Sequence, residues 1–171
     1  MKKTVSIILI LLFLIVGASC IKHDKYGTYQ KEIDVIYVYH SGFGQRTPEY
    51  KIDLKEKKFY EYSSEISANY VPRDKNAKNE GFSFISDLDE ENIANFIRSS
   101  ARYGFTKWED KYVNPHANDG HQWGVRIVFA DKTEKQIYGS NKYPHTYKDM
   151  IGAFYDLTDT KILWINGHYD D

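Results

Sequence analysis

The stretch Asp119–Asn141, DGHQWGVRIVFADKTEKQIYGSN, continued by Tyr143–Leu157, YPHTYKDMIGAFYDL, decides the fold. Trp123, Val125, Ile127 and Phe129 alternate with Gly124, Arg126, Val128 and Ala130. A period of two places the first set on one face of a half-buried strand. Asp131-Lys132-Thr133 interrupts the run with turn-forming polar residues. Ile137 and Tyr138 then resume β-favouring chemistry, so a short antiparallel hairpin is expected. Pro144 suits the first turn of a helix, where a missing N–H is harmless. Tyr147, Met150, Ile151, Phe154 and Leu157 recur at helical spacing and predict an apolar stripe lying across the Trp123 face.

Working outward, two further segments show strand alternation. Ile33, Val35, Tyr37 and Tyr39 interleave with Asp34, Ile36, Val38 and His40; Tyr50, Ile52 and Leu54 interleave with Glu49, Lys51 and Asp53. Phe59, Tyr60 and Tyr62 suggest a third strand. The glycines of Ser41–Thr47 mark a hairpin connection, since Walker spacing is missing. The polar run from Ser63 to Ser83 reads as a long surface loop, a flap or contact surface. A helix follows: Asp89 is placed to cap it, Glu90 and Glu91 suit its positive end, and Gly104 fits just past its end. Ile93, Phe96, Ile97 and Ala101 form its buried stripe. Phe105, Trp108, Tyr112 and Val113 are expected to cover an edge, and Ile162–Ile165 to form a small edge strand or a segment over the core. The expected fold is α+β: an antiparallel sheet of about five strands with two helices packed on one face, in the order β-β-β-α-β-β-α. The opposite face is expected to be partly open, its tyrosines supplying a surface.

The amino terminus carries a different kind of information. Lys2 and Lys3 precede an apolar run from Val5 to Val16, then Gly17-Ala18-Ser19-Cys20. This is the pattern of a signal peptide over residues 1–19. The run is too short and wrongly flanked for a comfortable transmembrane helix. The ending resembles a bacterial lipobox, with Gly17 where that motif usually has Leu. The resemblance implies cleavage before Cys20 and acylation of Cys20 by palmitate-type chains, which would anchor the chain to a membrane. Residues 20–32 then form a tether, residues 33–166 a single domain and residues 167–171 a polar tail. The expected location is the bacterial cell envelope, with the domain outside the cytoplasm.

The chain has 171 residues, 42% hydrophobic and 27% charged, which is enough for one domain with a real core. Its net charge of −1 provides no basic footprint, which argues against nucleic acid. With Cys20 as its one cysteine, the chain can form no internal disulfide. The 15 tyrosines favour half-buried strands and amphipathic surfaces.

The words Trp108…Lys111-Tyr112-Val113, Asp119-Gly120-His121-Gln122-Trp123 and Ile137-Tyr138-Gly139-Ser140-Asn141-Lys142-Tyr143-Pro144 resemble an uncharacterised domain of bacterial, often lipid-anchored, envelope proteins. The resemblance spans roughly Val35 to Leu157 and implies no activity.

For chemistry, His116, Asp119 and His121 lie close in sequence, with His145 further on. Imidazoles and a carboxylate can hold Zn²⁺, although the spacing matches no helical or finger motif. Gly139-Ser140-Asn141 ends a strand ahead of a helix, where free N–H groups could bind an anion; as structure alone, it would turn the chain and cap the helix. Nothing calls for a cofactor, and no GxSxG, catalytic cysteine or P-loop is present. The preferred reading is a non-catalytic binding or interaction module with an envelope protein or glycan as partner. The alternative is a small metal-dependent hydrolase using His116, Asp119 and His121, with His145 as a further candidate.

Overall fold

The computed structural model describes residues 31–41, 49–62, 81–117, 120–163 and 165. The chain divides into Met1–Gln30 and Lys31–Asp171, and all described residues belong to the second unit. The signal peptide, Cys20 and most of the tether lie outside them, as do Asp119 and most of the Ser63–Ser83 segment. Among the described residues no helix is long and apolar enough to cross a membrane.

The domain is α+β. Seven strands, β1 (Ile33–Ser41), β2 (Glu49–Asp53), β3 (Lys58–Tyr62), β4 (Ser83–Asp87), β5 (Lys111–Val113), β6 (Gln122–Phe129) and β7 (Glu134–Ser140), form one sheet in the order β4-β3-β2-β1-β6-β7-β5. Among the described residues it is joined by two α-helices, α1 (Glu90–Arg102) and α2 (Tyr147–Thr158), and a short 3-10 turn at Phe105–Lys107. The long central strands, β1 and β6, pair antiparallel and carry the alternation that the sequence announces. Ile36 sits opposite Ile127 and Val38 opposite Val125, and all four are buried. On the other flank Ile36 meets Ile52, which meets Phe59.

The β6–β7 turn shows why this hairpin forms. Lys132 N–H donates to the Phe129 carbonyl at 2.8 Å, and Phe129 N–H donates to the Thr133 carbonyl at 2.9 Å. Lys132 takes the left-handed conformation (φ 66°), as in three-residue hairpin loops that end in a bulge. The Asp131 carboxylate accepts from Thr133 N–H at 2.9 Å and fixes the bend.

Both helices share one core with the inward sheet residues. Helix α1 starts as expected: the Asp89 carboxylate accepts from the N–H groups of Glu91 (2.8 Å) and Asn92 (3.2 Å). Gly104 beyond it is left-handed (φ 64°) and delivers Phe105 into the core. Phe96 meets Phe154 of α2 with ring centroids 4.9 Å apart, and Phe105 meets Phe154 at 5.5 Å. Tyr147 packs on Trp123 at 4.7 Å, so α2 lies across the face that its stripe predicts. Ile162 and Leu163 pack into this core as an irregular segment.

Three expectations are corrected. Among the described residues the sheet has seven strands, where about five were expected. It is mixed, because β5 pairs parallel with β7. The additional strands are β4, found where the polar loop was expected to end, and β5, whose three residues gain strand form by docking on Tyr138–Ser140. Finally, Pro144 precedes α2 in a separate turn, with Tyr147 N–H donating to its carbonyl at 3.0 Å. Thr146 flanks the helix without a side-chain cap, because its hydroxyl is used elsewhere: it donates to the Tyr103 carbonyl (2.8 Å) and accepts from Trp108 Nε1 (3.0 Å).

Candidate functional site

The face of the sheet away from the helices is where polar chemistry is concentrated. Strand register aligns Phe84, Tyr60, Lys51, Tyr37, Arg126 and Gln136 in one row across β4, β3, β2, β1, β6 and β7. Aromatic and cationic side chains alternate along much of this row. Tyr60 meets Phe84 edge-on at 5.9 Å; Lys51 Nζ lies 5.1 Å from the Tyr60 ring, and Arg126 Cζ 5.2 Å from the Tyr37 ring. The neighbouring row supplies counter-charges. Lys51 pairs with Asp53 at 3.0 Å, and Arg126 is held by both Glu134 oxygens, at 2.8 and 3.1 Å. Lys51, Asp53 and Arg126 are buried, so each would be costly without its partner. Phe82 packs against this face, touching Tyr62 at 5.3 Å and Tyr37 at 6.1 Å.

A second row, Tyr39–Gly124–Tyr138, crosses β1, β6 and β7. A Cβ at Gly124 would come within 2.0 Å of the Tyr39 ring, so the missing side chain is what lets Tyr39 settle onto the sheet. Here a groove of about 530 Å³ opens, lined by Tyr39, Tyr138, Gln136 and Glu134, with Lys135, Asp110, Val125 and Ile137 also contributing. It is a shallow trough, partly open to solvent. It exists because β5 is short: β5 pairs only with Tyr138–Ser140, and Tyr138 N–H donates to the Asp110 carbonyl at 3.0 Å. Beside Glu134–Ile137, β7 has no strand neighbour on that side among the described residues. Burial pushes the Tyr39 hydroxyl up to about 12, aided by Tyr138 and Glu49. Tyr37 is also raised, chiefly by burial, against the opposing pull of Arg126. Both phenols are therefore hydrogen-bond donors at neutral pH.

The residues singled out in the sequence fall elsewhere. His116 is exposed in a turn, its N–H donating to the Asn114 side chain at 3.1 Å. His121 is fully buried on the helix side, where Nδ1 contacts the Tyr143 hydroxyl at 2.9 Å. His145 is exposed ahead of α2. Among the described residues no three His, Cys, Asp or Glu side chains gather as a metal site. The neighbour that His121 does acquire is His40, also buried, with ring centroids 5.9 Å apart. Burial holds His40 down to about 3, with His121 adding to the effect, and burial holds His121 down to about 4.

Gly139, Ser140 and Asn141 are drawn into packing and pairing. The Trp123 indole lies directly against Gly139, where a Cβ would meet it at 2.0 Å, and Trp123 Nε1 donates to the Lys142 carbonyl at 3.0 Å. The Ser140 carbonyl accepts from Asn114 N–H at 2.9 Å. Asn141 is left-handed (φ 50°); its amide oxygen accepts from His121 N–H at 3.0 Å, and its own N–H donates to the His121 carbonyl at 2.9 Å. Residues 142–146 separate this turn from α2, so it does not form the helix N-terminus.

The open-face tyrosines were legible from alternation, but the groove and its matched charges were not. No protein-family model matches the chain, and comparison with curated proteins gives no match.

Proposed function

We propose that this protein is a lipid-anchored binding module of the bacterial envelope, acylated at Cys20, whose site is the groove over β6 and β7. The Tyr39–Gly124–Tyr138 row carries the reading: Gly124 lets the Tyr39 ring lie down on the sheet, and Tyr39 and Tyr138 then border a groove beside an uncovered stretch of β7. The function is non-catalytic in this reading, because the charges around the groove are committed to one another. Arg126 is clamped by Glu134, and Lys135 pairs with Asp110 at 3.2 Å. The partner is an envelope protein or glycan. The anchor rests on the Lys2-Lys3 start, the apolar run and the Gly17-Ala18-Ser19-Cys20 ending, and the resemblance to lipid-anchored envelope domains agrees with it.

The full chain in detergent micelles should be retained by immobilised envelope fractions. Tyr138→Ala should weaken retention, and Tyr155→Ala, an exposed tyrosine on α2, should not. Equal retention of all three proteins would refute the groove as the site. Metabolic labelling with an alkyne palmitate should mark the wild type and not Cys20→Ala; an unlabelled wild type would refute the anchor.

A further inference from the structure

The chemistry of the groove narrows its ligand, provided that the groove is the binding site proposed above. Its charges cancel in pairs: Glu134 with Arg126 in a two-point clamp, and Lys135 with Asp110 at 3.2 Å. A charged ligand would have to break the largely buried Arg126–Glu134 clamp or bring an unmatched charge onto a surface already balanced; the exposed Lys135–Asp110 pair at the strand edge resists less. A neutral ligand faces no such penalty. The groups left to meet it are two phenols and the Gln136 amide, which offer flat apolar rings together with donors and acceptors. The register puts Tyr39 and Tyr138 on either side of Gly124, on one face and at one level, with Gln136 in the next row.

An added peptide strand is the obvious rival, since Glu134–Ile137 lies beyond the end of β5. The edge is defended, however. Lys135 stands opposite Ile127 in register and therefore faces the helix side, tied to Asp110 next to β5. An inward-facing charge on an exposed strand edge discourages strand addition. The occupant therefore lies across the sheet face and does not extend the sheet. Flat rings that offer apolar C–H faces and a dense fringe of hydroxyls match the chemistry of two tyrosines and an amide on one sheet face. We infer that the groove over β6 and β7 receives a neutral saccharide chain, with sugar rings stacked on Tyr39 and Tyr138 and hydroxyls hydrogen-bonded to Gln136 and Glu134.

The test uses the full chain in detergent micelles with tyrosine side chains isotopically labelled. It is titrated with neutral tetrasaccharides of glucose and of N-acetylglucosamine, an anionic tetrasaccharide of galacturonate, and an uncharged tetrapeptide. The neutral tetrasaccharides should shift the Tyr39 and Tyr138 signals and leave Tyr155 in place. Tyr138→Ala should weaken that binding by about tenfold or more, the scale of a truncated aromatic anchor. Gln136→Ala, with its exposed side chain, gives a second variant with little bearing on folding. If neither neutral tetrasaccharide shifts Tyr39 and Tyr138, or if galacturonate or the peptide shifts them more strongly, the saccharide inference is overturned. Retention of Tyr138→Ala on envelope fractions separates the two levels. Weakened retention together with silent saccharides removes only the ligand class; unchanged retention removes the site as well.

Discussion

Acidification should unfold this domain through two histidines on the core side of the sheet. His40 is 2% exposed and His121 fully buried, and their rings lie 5.9 Å apart. In the unfolded chain each imidazole takes up a proton as the pH falls through 6.5. In the folded chain protonation waits until about 3 for His40 and about 4 for His121. Between those limits the unfolded chain binds more protons, so a falling pH favours unfolding; above 6.5 the full stability is present. The slope is about 1.4 kcal/mol per pH unit for each histidine, so lowering the pH from about 7 to about 5 removes about 2 kcal/mol per histidine, or about 4 kcal/mol for the pair. That is a large part of the 5–15 kcal/mol typical of a domain. Urea unfolding followed by tryptophan fluorescence at the two pH values measures the loss. His40→Leu keeps the volume and apolar contacts while removing one titrating ring, so its acid loss should fall to about half that of the wild type. A wild-type loss below about 0.5 kcal/mol, or an unchanged loss in His40→Leu, would refute the reasoning that both imidazoles are held neutral by burial.

Other substitutions probe separate contacts. Gly139→Val drives a side chain into the Trp123 indole and should lower stability by about 1–3 kcal/mol or more, measured by thermal melting followed by near-UV circular dichroism. Arg126→Ala leaves Glu134 without its clamp and should cost about 3–5 kcal/mol, whereas the exposed Lys57–Glu90 pair, removed by Lys57→Ala, should change stability by about 0.5 kcal/mol at most. A double-mutant cycle with Glu134→Ala should recover much of the Arg126→Ala loss. Asp89→Ala removes the acceptor for the Glu91 and Asn92 amides and should cost about 1 kcal/mol in urea unfolding.

Parity along the strands explains both what the sequence reveals and where it misleads. Trp123, Val125 and Ile127 share one parity, and the structure buries them together because helix α2 covers that face. His121 has the same parity as Trp123 and turns inward with it, while His116 stays outside on its turn. His121 lies beside His40 of β1, their rings 5.9 Å apart, while Asp119, the third residue of the expected site, lies outside the described residues. Strands β4 and β5 left weak signals for different reasons. In β4 the apolar Phe84 and Ile85 are adjacent and both exposed, so no alternation marks a buried face. In β5 strand form comes from pairing with β7, a contact distant in sequence.

The groove required something further, namely register. That Tyr39, Gly124 and Tyr138 form one row follows from how β1 pairs with β6 and β6 with β7, and β1 carries an irregularity between Ile33 and Val35 that no local rule locates. The same strands thus serve two purposes on opposite faces. Trp123 packs on Gly139 inside, while its neighbour Gly124 makes room for Tyr39 outside. If the groove is the binding site proposed above, stability and binding should therefore separate between the two faces of β6 and β7. Changes at Trp123 or Gly139 should move the unfolding midpoint, and changes at Tyr138 or Gln136 should move binding while the midpoint stays in place. If Tyr138→Ala lowers stability as much as Gly139→Val does, the open face is a second core and the assignment of the groove to ligand binding fails.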